Sequence, residues 1–290
     1  MSNTETRIDT VLSSGPSYLT RVDTSRGGRY YTNHENPDIK YYSVTSMTGM
    51  KNNPGIRMAE RALYRRAMND WIGEPVSEAV IDTIFGQSEH EWGYYRDIGS
   101  AIHEYLEKLY TGLEDTSDVT DLYEPAVKAW YNWHSTIEAK FLETESAIIY
   151  DLNGIQYAGT IDALYEKNNG DLLVVDFKTG GDGEGGIYTD HMMQVAAYCR
   201  AVEKMTGKKT TGLVVRFIMQ HPQIPLLTKT GKQSKTRDGK LKTQSDKSKD
   251  KYFTGKYETA EVNPSEWLPA FDATCVLHGI RNIKVDTVTV

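Results

Sequence analysis

Two aspartates and a lysine stand inside segments that are otherwise apolar. Asp162 lies in "GTIDAL" (159–164), and Asp176 and Lys178 lie in "LLVVDFK" (172–178). Buried charges are costly unless they are paired or hold a metal. A lone Asp-x-Lys is accounted for by a salt bridge at a strand end. Asp162 on the same face leaves one carboxylate over, and two facing carboxylates are a natural hard-oxygen site for a divalent cation. Their repulsion predicts that Asp162→Ala leaves the metal-free protein as stable as before, or more so.

Whether the carboxylates meet depends on the hairpin that carries them. Side chains alternate along a strand, so Leu172, Val174, Asp176 and Lys178 share one face and Leu173, Val175 and Phe177 the other. A two-residue Asn169-Gly170 turn would set Asp162 opposite Phe177, with the aspartates on opposite faces. A three-residue loop, Asn168-Asn169-Gly170 with Gly170 left-handed, pairs 167 with 171 and sets Asp162 opposite Asp176. The second register is the one expected here.

Other elements follow from periodicity and turn chemistry. "RYYTNHENPDIKYYSVTSM" (29–47) reads as a hairpin, and "PGIRMAERALYRRAM" (54–68) as a helix with Arg57, Arg61 and Arg65 on one stripe, either a solvated face or one facing phosphate. A helix is expected from Asp97, with Ile98, Ile102, Leu106 and Leu109 inward and His103 beside that stripe. A second helix is expected over 121–142. Strands are expected over 145–152, 155–166 and 171–178, then a helix over 188–205, a strand over 211–220 and a strand at 257–262. An Asn-capped helix over 264–283 closes the chain. Residues 1–28 are polar and expected to be flexible, leaving 29–290 as a single domain with a core at about 95–219. No internal repeat is evident.

The chain has 290 residues, 39% hydrophobic and 25% charged, as in a globular protein. It has no apolar run long enough for a membrane span and no leader pattern, so a cytoplasmic location is expected. Cys199 and Cys275 are its two cysteines, which argues for a reducing compartment and against an iron–sulfur cluster. The net charge is −7, but residues 229–256 hold ten Lys or Arg and three Asp, so the rest carries −14. That polar insert, with Lys232, Lys235, Arg237, Lys240 and Lys242, is either a phosphate-contacting loop or a solvated one. Base stacking would fall to Trp92, Tyr94 and Tyr95, just before the His103 helix.

Several stretches, in order, resemble the RecB-type branch of the PD-(D/E)XK nucleases. "GSAIHEYLE" is similar to that branch's motif-histidine helix, "GTIDAL" to its first metal-aspartate strand, "VVDFKTG" to its Asp-x-Lys, and "QVAAY" to its Gln-x-x-x-Tyr helix. "YYSVTSM" resembles the Ser-Val-Thr element of phage and mitochondrial single-strand exonucleases. The resemblance implies an α/β fold, a central mixed and mostly antiparallel sheet flanked by helices, as in restriction endonucleases. It implies Asp162, Asp176 and the Phe177 carbonyl as metal ligands, with Lys178 as the catalytic lysine, His103 beside the metal, and Gln194 and Tyr198 facing the same cleft. Alternatively His103 is a core histidine, and Gln194 a surface residue beside a packed Tyr198. Glu145 is either a metal contact or, like Glu104, an exposed carboxylate.

The same resemblance implies a Mg²⁺- or Mn²⁺-dependent deoxyribonuclease, an exonuclease acting on ends or single strands in phage-type recombination, repair or genome processing. In a phage-encoded form it would work in the host cytoplasm, with recombination or replication proteins as possible partners. No Walker-type sequence is present, so no ATP use is expected of this chain. The alternatives are an inert DNA-binding module on the same fold and a metal-dependent endonuclease.

Overall fold

The computed structural model describes residues 4–9, 18–24, 28–49, 78–112, 120–180, 186–228, 231–246 and 249–281. Its centre is a nine-stranded mixed sheet. The first four strands, β1 (Thr4–Asp9), β2 (Tyr18–Asp23), β3 (Arg29–Asn33) and β4 (Lys40–Ser43), form an antiparallel meander. The N-terminal segment expected to be flexible therefore carries two strands. Leu19 and Val22 are buried, and β2 pairs with its neighbour β3, while β4 ties the meander to a strand distant in sequence at Tyr42↔Tyr157, a pairing that local polarity conceals.

A short helix, α1 (Val44–Thr48), leads on to α2 (Glu78–Thr111) and α3 (Glu124–His134). Strands β5 (Ala139–Leu152), β6 (Ile155–Lys167) and β7 (Leu172–Gly180) follow, then α4 (Thr189–Thr206) and β8 (Thr210–Gln220). The chain ends with β9 (Gln223–Pro225), β10 (Thr243–Ser245), β11 (Tyr252–Val262) and α5 (Pro264–Arg281). No helix among the described residues is long and apolar enough to cross a membrane.

The sheet is covered on both faces. Ile98, Ile102 and Leu106 of α2 and Trp130 and Trp133 of α3 pack on Ala163, Val175 and Phe177. Val195, Cys199 and Val202 of α4, with Phe271 of α5, cover Leu164, Leu172 and Val174 on the other side. The alternation expected along 172–177 is thus the one that divides the two cores.

The pairing of β6 creates the opening for a site. One edge is covered by β5, from Leu152↔Ile155 to Ala139↔Lys167. The other edge is shared. β4 runs parallel to it at Tyr42↔Tyr157 and Ser43↔Ala158, and β7 runs antiparallel from Ala163↔Val175 to Glu166↔Leu172. Residues 159–162 lie between these two partners, so the sheet forks at the Gly159–Asp162 segment.

Other boundaries also differ from expectation. α2 begins at Glu78, well before Asp97, and so takes in Gly86, whose weak helix propensity argued against an early start. The helix expected over 121–142 stops at His134. There the Ser135 and Thr136 hydroxyls donate to the Asn132 and Trp133 carbonyls (2.9 and 2.7 Å), ending the helical ladder, and residues 139–142 join β5. The helix expected over 54–68, with its Arg57, Arg61 and Arg65 stripe, and the side chain of Trp92 lie outside the described residues.

The lysine-rich insert is a structured arm. β9 pairs with β10, and beyond them two similar turns follow. Thr228 donates its amide to the Lys232 carbonyl and Gly231 to Thr228, at 2.7 and 3.0 Å; Thr236, Lys240 and Gly239 repeat the pattern at the same distances. Gly231 and Gly239 have φ of 79° and 87°, the left-handed conformation that glycine accepts without strain. A Thr-x-x-Gly-Lys unit thus occurs twice, an internal repeat that the overall composition hides.

Candidate active site

The Asn168-Asn169-Gly170 loop has three residues. The amide of Lys167 donates to the Asp171 carbonyl and that of Gly170 to the Lys167 carbonyl, both at 2.8 Å, and Gly170 has φ of 85°. The resulting register runs through Ala163↔Val175, so its next step brings Asp162 alongside Asp176. On β5, Thr144↔Ala163 and Ser146↔Ile161 bracket a further step that brings Glu145 alongside Asp162. Glu145, Asp162 and Asp176 therefore form one row across three strands.

The backbone ladder opens at this row. Phe177 donates its amide hydrogen to Asp162 Oδ2 at 2.5 Å, and Thr144 Oγ1 donates to the Asp162 carbonyl at 2.7 Å. Glu145 has φ of 48°, a conformation that costs a non-glycine residue about 1 kcal/mol or more. This turn re-aims its carboxylate, and such strain is common where a site needs a particular geometry.

His103 Nδ1 lies 3.3 Å from Asp162 Oδ1. Ligating atoms of His103, Glu145 and Asp162 all fall within 4.8 Å of one another. Asp176, buried, is held differently. Lys178 Nζ lies 2.5 Å from its Oδ2, and Gln194 Nε2 donates to its Oδ1 at 3.2 Å. Gln194 Nε2 also donates to the Tyr198 hydroxyl at 2.9 Å, so both α4 residues face the site. Gln194 and Tyr198 are buried, which excludes a surface glutamine.

The electrostatics follow from burial and then from crowding. Burial pushes the Glu145 carboxyl up to about 7, reinforced by Asp162. Burial likewise pushes Asp176 up to about 6; Lys178 opposes this and Asp162 adds to it. Burial also opposes ionisation of Asp162, yet His103, Lys178 and the Phe177 amide together hold its carboxyl below the ordinary range. Burial alone would lower His103, but Asp162 outweighs it and brings the imidazole up to about 9. The site thus carries an imidazolium and an ammonium against three closely spaced carboxyl groups.

Glycines let the helices approach. A Cβ on Gly159 would lie 2.4 Å from Tyr198 Cε1, so the glycine three residues before Asp162 makes room for that ring. A Cβ on Gly99 would meet Thr179 Oγ1 at 2.8 Å, next to Lys178, and His103 follows one turn later on α2.

Of the further candidates, Glu104 is exposed and pairs with Lys108 at 3.2 Å. Tyr95 lines the cleft, but its hydroxyl accepts the Lys251 amide hydrogen at 3.1 Å and the Lys251 ammonium lies 5.0 Å from its ring centre. Tyr95 therefore tethers the base of the arm, a role different from the base stacking expected of it. Lys232, Lys235, Arg237, Lys240 and Lys242 lie on the arm, and none lines the cleft. The sequence had not marked Arg21 and Arg29, which line it from β2 and β3, because the pairing that brings the meander there is non-local.

The PD-(D/E)XK nuclease superfamily profile matches residues 116–281. The match takes in β5 to α5 and more than half of the chain, and the chain belongs to that superfamily. It is also 40% identical over 62 residues to an ATP-dependent helicase/nuclease subunit of Clostridium kluyveri, a stretch covering 21% of this chain and 5% of that protein. The chain thus spans only a small part of the curated relatives it matches. Among solved structures, a proposed exonuclease from Eubacterium rectale aligns over 83% of this chain and 79% of its own, at 10% identity and a TM-score of 0.40.

Proposed function

We propose that the protein is a divalent-metal-dependent deoxyribonuclease, an exonuclease acting on DNA ends or single strands. The observation that carries this reading is the row of Glu145, Asp162 and Asp176, flanked by His103 and Lys178 in one cleft. The donor set suits a hard cation. Its oxygen and imidazole donors are close together, two of its carboxyls are held protonation-prone by burial and by the neighbouring Asp162, and an added positive charge would relieve both. Glu145 and Asp162 would hold Mg²⁺ or Mn²⁺, with Asp176, the Phe177 carbonyl and His103 completing its surroundings. Such an ion would acidify water and neutralise charge on the phosphoryl oxygens.

The chain's own groups supply the rest. Lys178, on the face of β7 that carries Asp176, would stabilise the charge that develops on phosphate, or orient the attacking water. Gln194 fixes the Asp176 carboxylate through a hydrogen bond and is itself held by the Tyr198 hydroxyl, and the Phe177 amide fixes the carboxylate of Asp162. His103, held as an imidazolium by Asp162 in the metal-free protein, suits phosphate orientation better than proton abstraction. Its proton would have to leave before it could accept another. The arm's lysines would add contacts to the phosphate backbone away from the cleft.

Cys199 and Cys275 are free and buried, which suits a reducing, cytoplasmic setting. We place the activity in recombination, repair or genome processing of the phage type, alongside recombination or replication proteins. The test is incubation of end-labelled single- and double-stranded DNA, and of a closed circle, with Mg²⁺, Mn²⁺ or a chelator. Metal-dependent loss of ended substrates with intact circles is expected. Cleavage of closed circles would replace the exonuclease reading with an endonuclease, and no cleavage of any substrate would leave a DNA-binding module.

A further inference from the structure

The N-terminal meander lines the same cleft as α2. Tyr31 of β3 reaches Thr160 of β6, hydroxyl to hydroxyl at 3.0 Å, just two residues before Asp162. β1 folds back to pack on β5. Together with α2 the meander lines an open cleft of about 1460 Å³, which Arg21 and Arg29 share with His103, Glu145, Asp162 and Lys178.

Register fixes how the two arginines are presented. Arg21 pairs with Tyr31 and Asp23 with Arg29, so all four side chains project from one face, the face on which Tyr31 meets Thr160. One carboxylate holds both guanidinium groups. Arg21 Nε lies 2.9 Å from Asp23 Oδ2, and Arg29 Nε lies 2.7 Å from Asp23 Oδ1. Each arginine uses its Nε for Asp23. Among the described residues, the Nη nitrogens of neither one hydrogen-bond to a protein acceptor. Two part-buried forks are thus held in fixed orientation with their outer donors facing the cavity.

Charge balance singles this cluster out. The other cations lining the cleft are matched by carboxylates: Lys178 by Asp176, His103 by Asp162, Arg7 by Asp9 and Arg96 by Asp97. Arg21, Asp23 and Arg29 carry a surplus positive charge. The cleft is otherwise rich in carboxylates, so a polyanion entering it needs such a surplus. Paired guanidinium forks match the oxygens of a phosphodiester, which accept two hydrogen bonds in parallel.

We propose that Arg21 and Arg29, oriented by Asp23, form a phosphodiester-binding subsite that grips the nucleic-acid backbone next to the bond being cut, so that the N-terminal meander sets the path of the strand. The subsite rests on the nuclease reading for the identity of its ligand. The bases are left free, so the grip is independent of sequence.

The test is fluorescence anisotropy of a labelled single-stranded oligonucleotide with chelator present, repeated across a salt series. Arg21→Gln and Arg29→Gln should each weaken binding roughly tenfold and reduce the slope of log affinity against log salt by about 0.7. Arg29→Lys should keep the salt slope and lose most of the affinity, because the charge stays but the fork goes. Thermal unfolding of each variant identifies any that lose the fold, and the lysine variant then carries the test. Arg7→Gln, matched by its own Asp9, should change little. Unchanged affinity and salt slope in folded Arg21→Gln and Arg29→Gln would overturn the subsite, even if the wild type cuts DNA. Weakened binding in both variants, with a wild type that cuts nothing, would uphold the subsite and overturn the nuclease reading.

Discussion

Replacing Gly159 with alanine should distort the site without touching any charged group. The added Cβ would lie 2.4, 3.1 and 3.2 Å from Cε1, Cζ and the hydroxyl of Tyr198. Carbon atoms settle at 3.5–4 Å, so the ring or the strand must withdraw by about 1 Å. Tyr198 is only 2% exposed and cannot swing into solvent. Overpacking of this kind costs about 1–3 kcal/mol, whereas an alanine with free space in a strand gains about 0.5–1 kcal/mol over glycine. The two cases differ in sign. The displacement would also pass through Gln194, which links the Tyr198 hydroxyl to Asp176, so cleavage should slow as well. Urea unfolding of metal-free protein and initial rates on a single-stranded oligonucleotide measure both effects. Tyr198→Leu removes the ring, so Gly159→Ala in that background should cost at least about 1 kcal/mol less than in the wild type. A Gly159→Ala protein as stable as wild type, or costs that simply add in the double variant, would refute the packing explanation.

Three further outcomes are expected. The raised carboxyl of Glu145 means that metal-free protein is most stable below the unfolded value and loses stability as pH rises from there through about 7. Glu145→Gln should therefore stabilise chelator-treated protein at pH 8, by about 1–2 kcal/mol after allowance for partial exposure, and leave it unchanged at pH 4; no gain at pH 8 in urea unfolding would refute this. Asp162→Ala should lower metal-free stability by about 3 kcal/mol, since it strips His103 of its counter-charge and the Phe177 amide of its acceptor. This reverses the expectation from carboxylate repulsion alone, and unfolding of the variant at the wild-type midpoint would contradict it. Lys232→Ala and Lys240→Ala, on the two matching turns of the arm, should each lower the salt slope of single-strand binding by about 0.7 with little change in the cutting rate at saturating DNA, as measured by anisotropy and initial rates.

Much of the site was legible in the chain because local rules govern it. Period-two alternation and the Asn-Asn-Gly loop determine which face Asp176 and Lys178 occupy and that Asp162 comes alongside them. Helical spacing places Gln194 and Tyr198 together on α4. What was not legible depends on partners distant in sequence or on local detail that periodicity does not carry. β1 pairs with β2 and β2 with β3, and this meander reaches the site through the parallel pairing of β4 with β6 at Tyr42↔Tyr157, so Arg21 and Arg29 gave no local signal. Glu145 was already a candidate metal contact, but its neighbours Thr144 and Ser146 do not announce the positive φ with which it sits in the row. The expected helix past His134 failed because two hydroxyls, Ser135 and Thr136, intercept its last carbonyls.

The central claim is that the carboxylate row is a cation site, with Lys178 beside it in a different role. Calorimetric titration of Mn²⁺ into wild type, Asp162→Asn and Lys178→Met, without DNA, tests it most directly. Wild type and Lys178→Met should bind the ion, and Asp162→Asn should bind at least about tenfold more weakly, since one charged ligand is lost. Equal affinity in wild type and Asp162→Asn, or no binding by the wild type, would contradict the account.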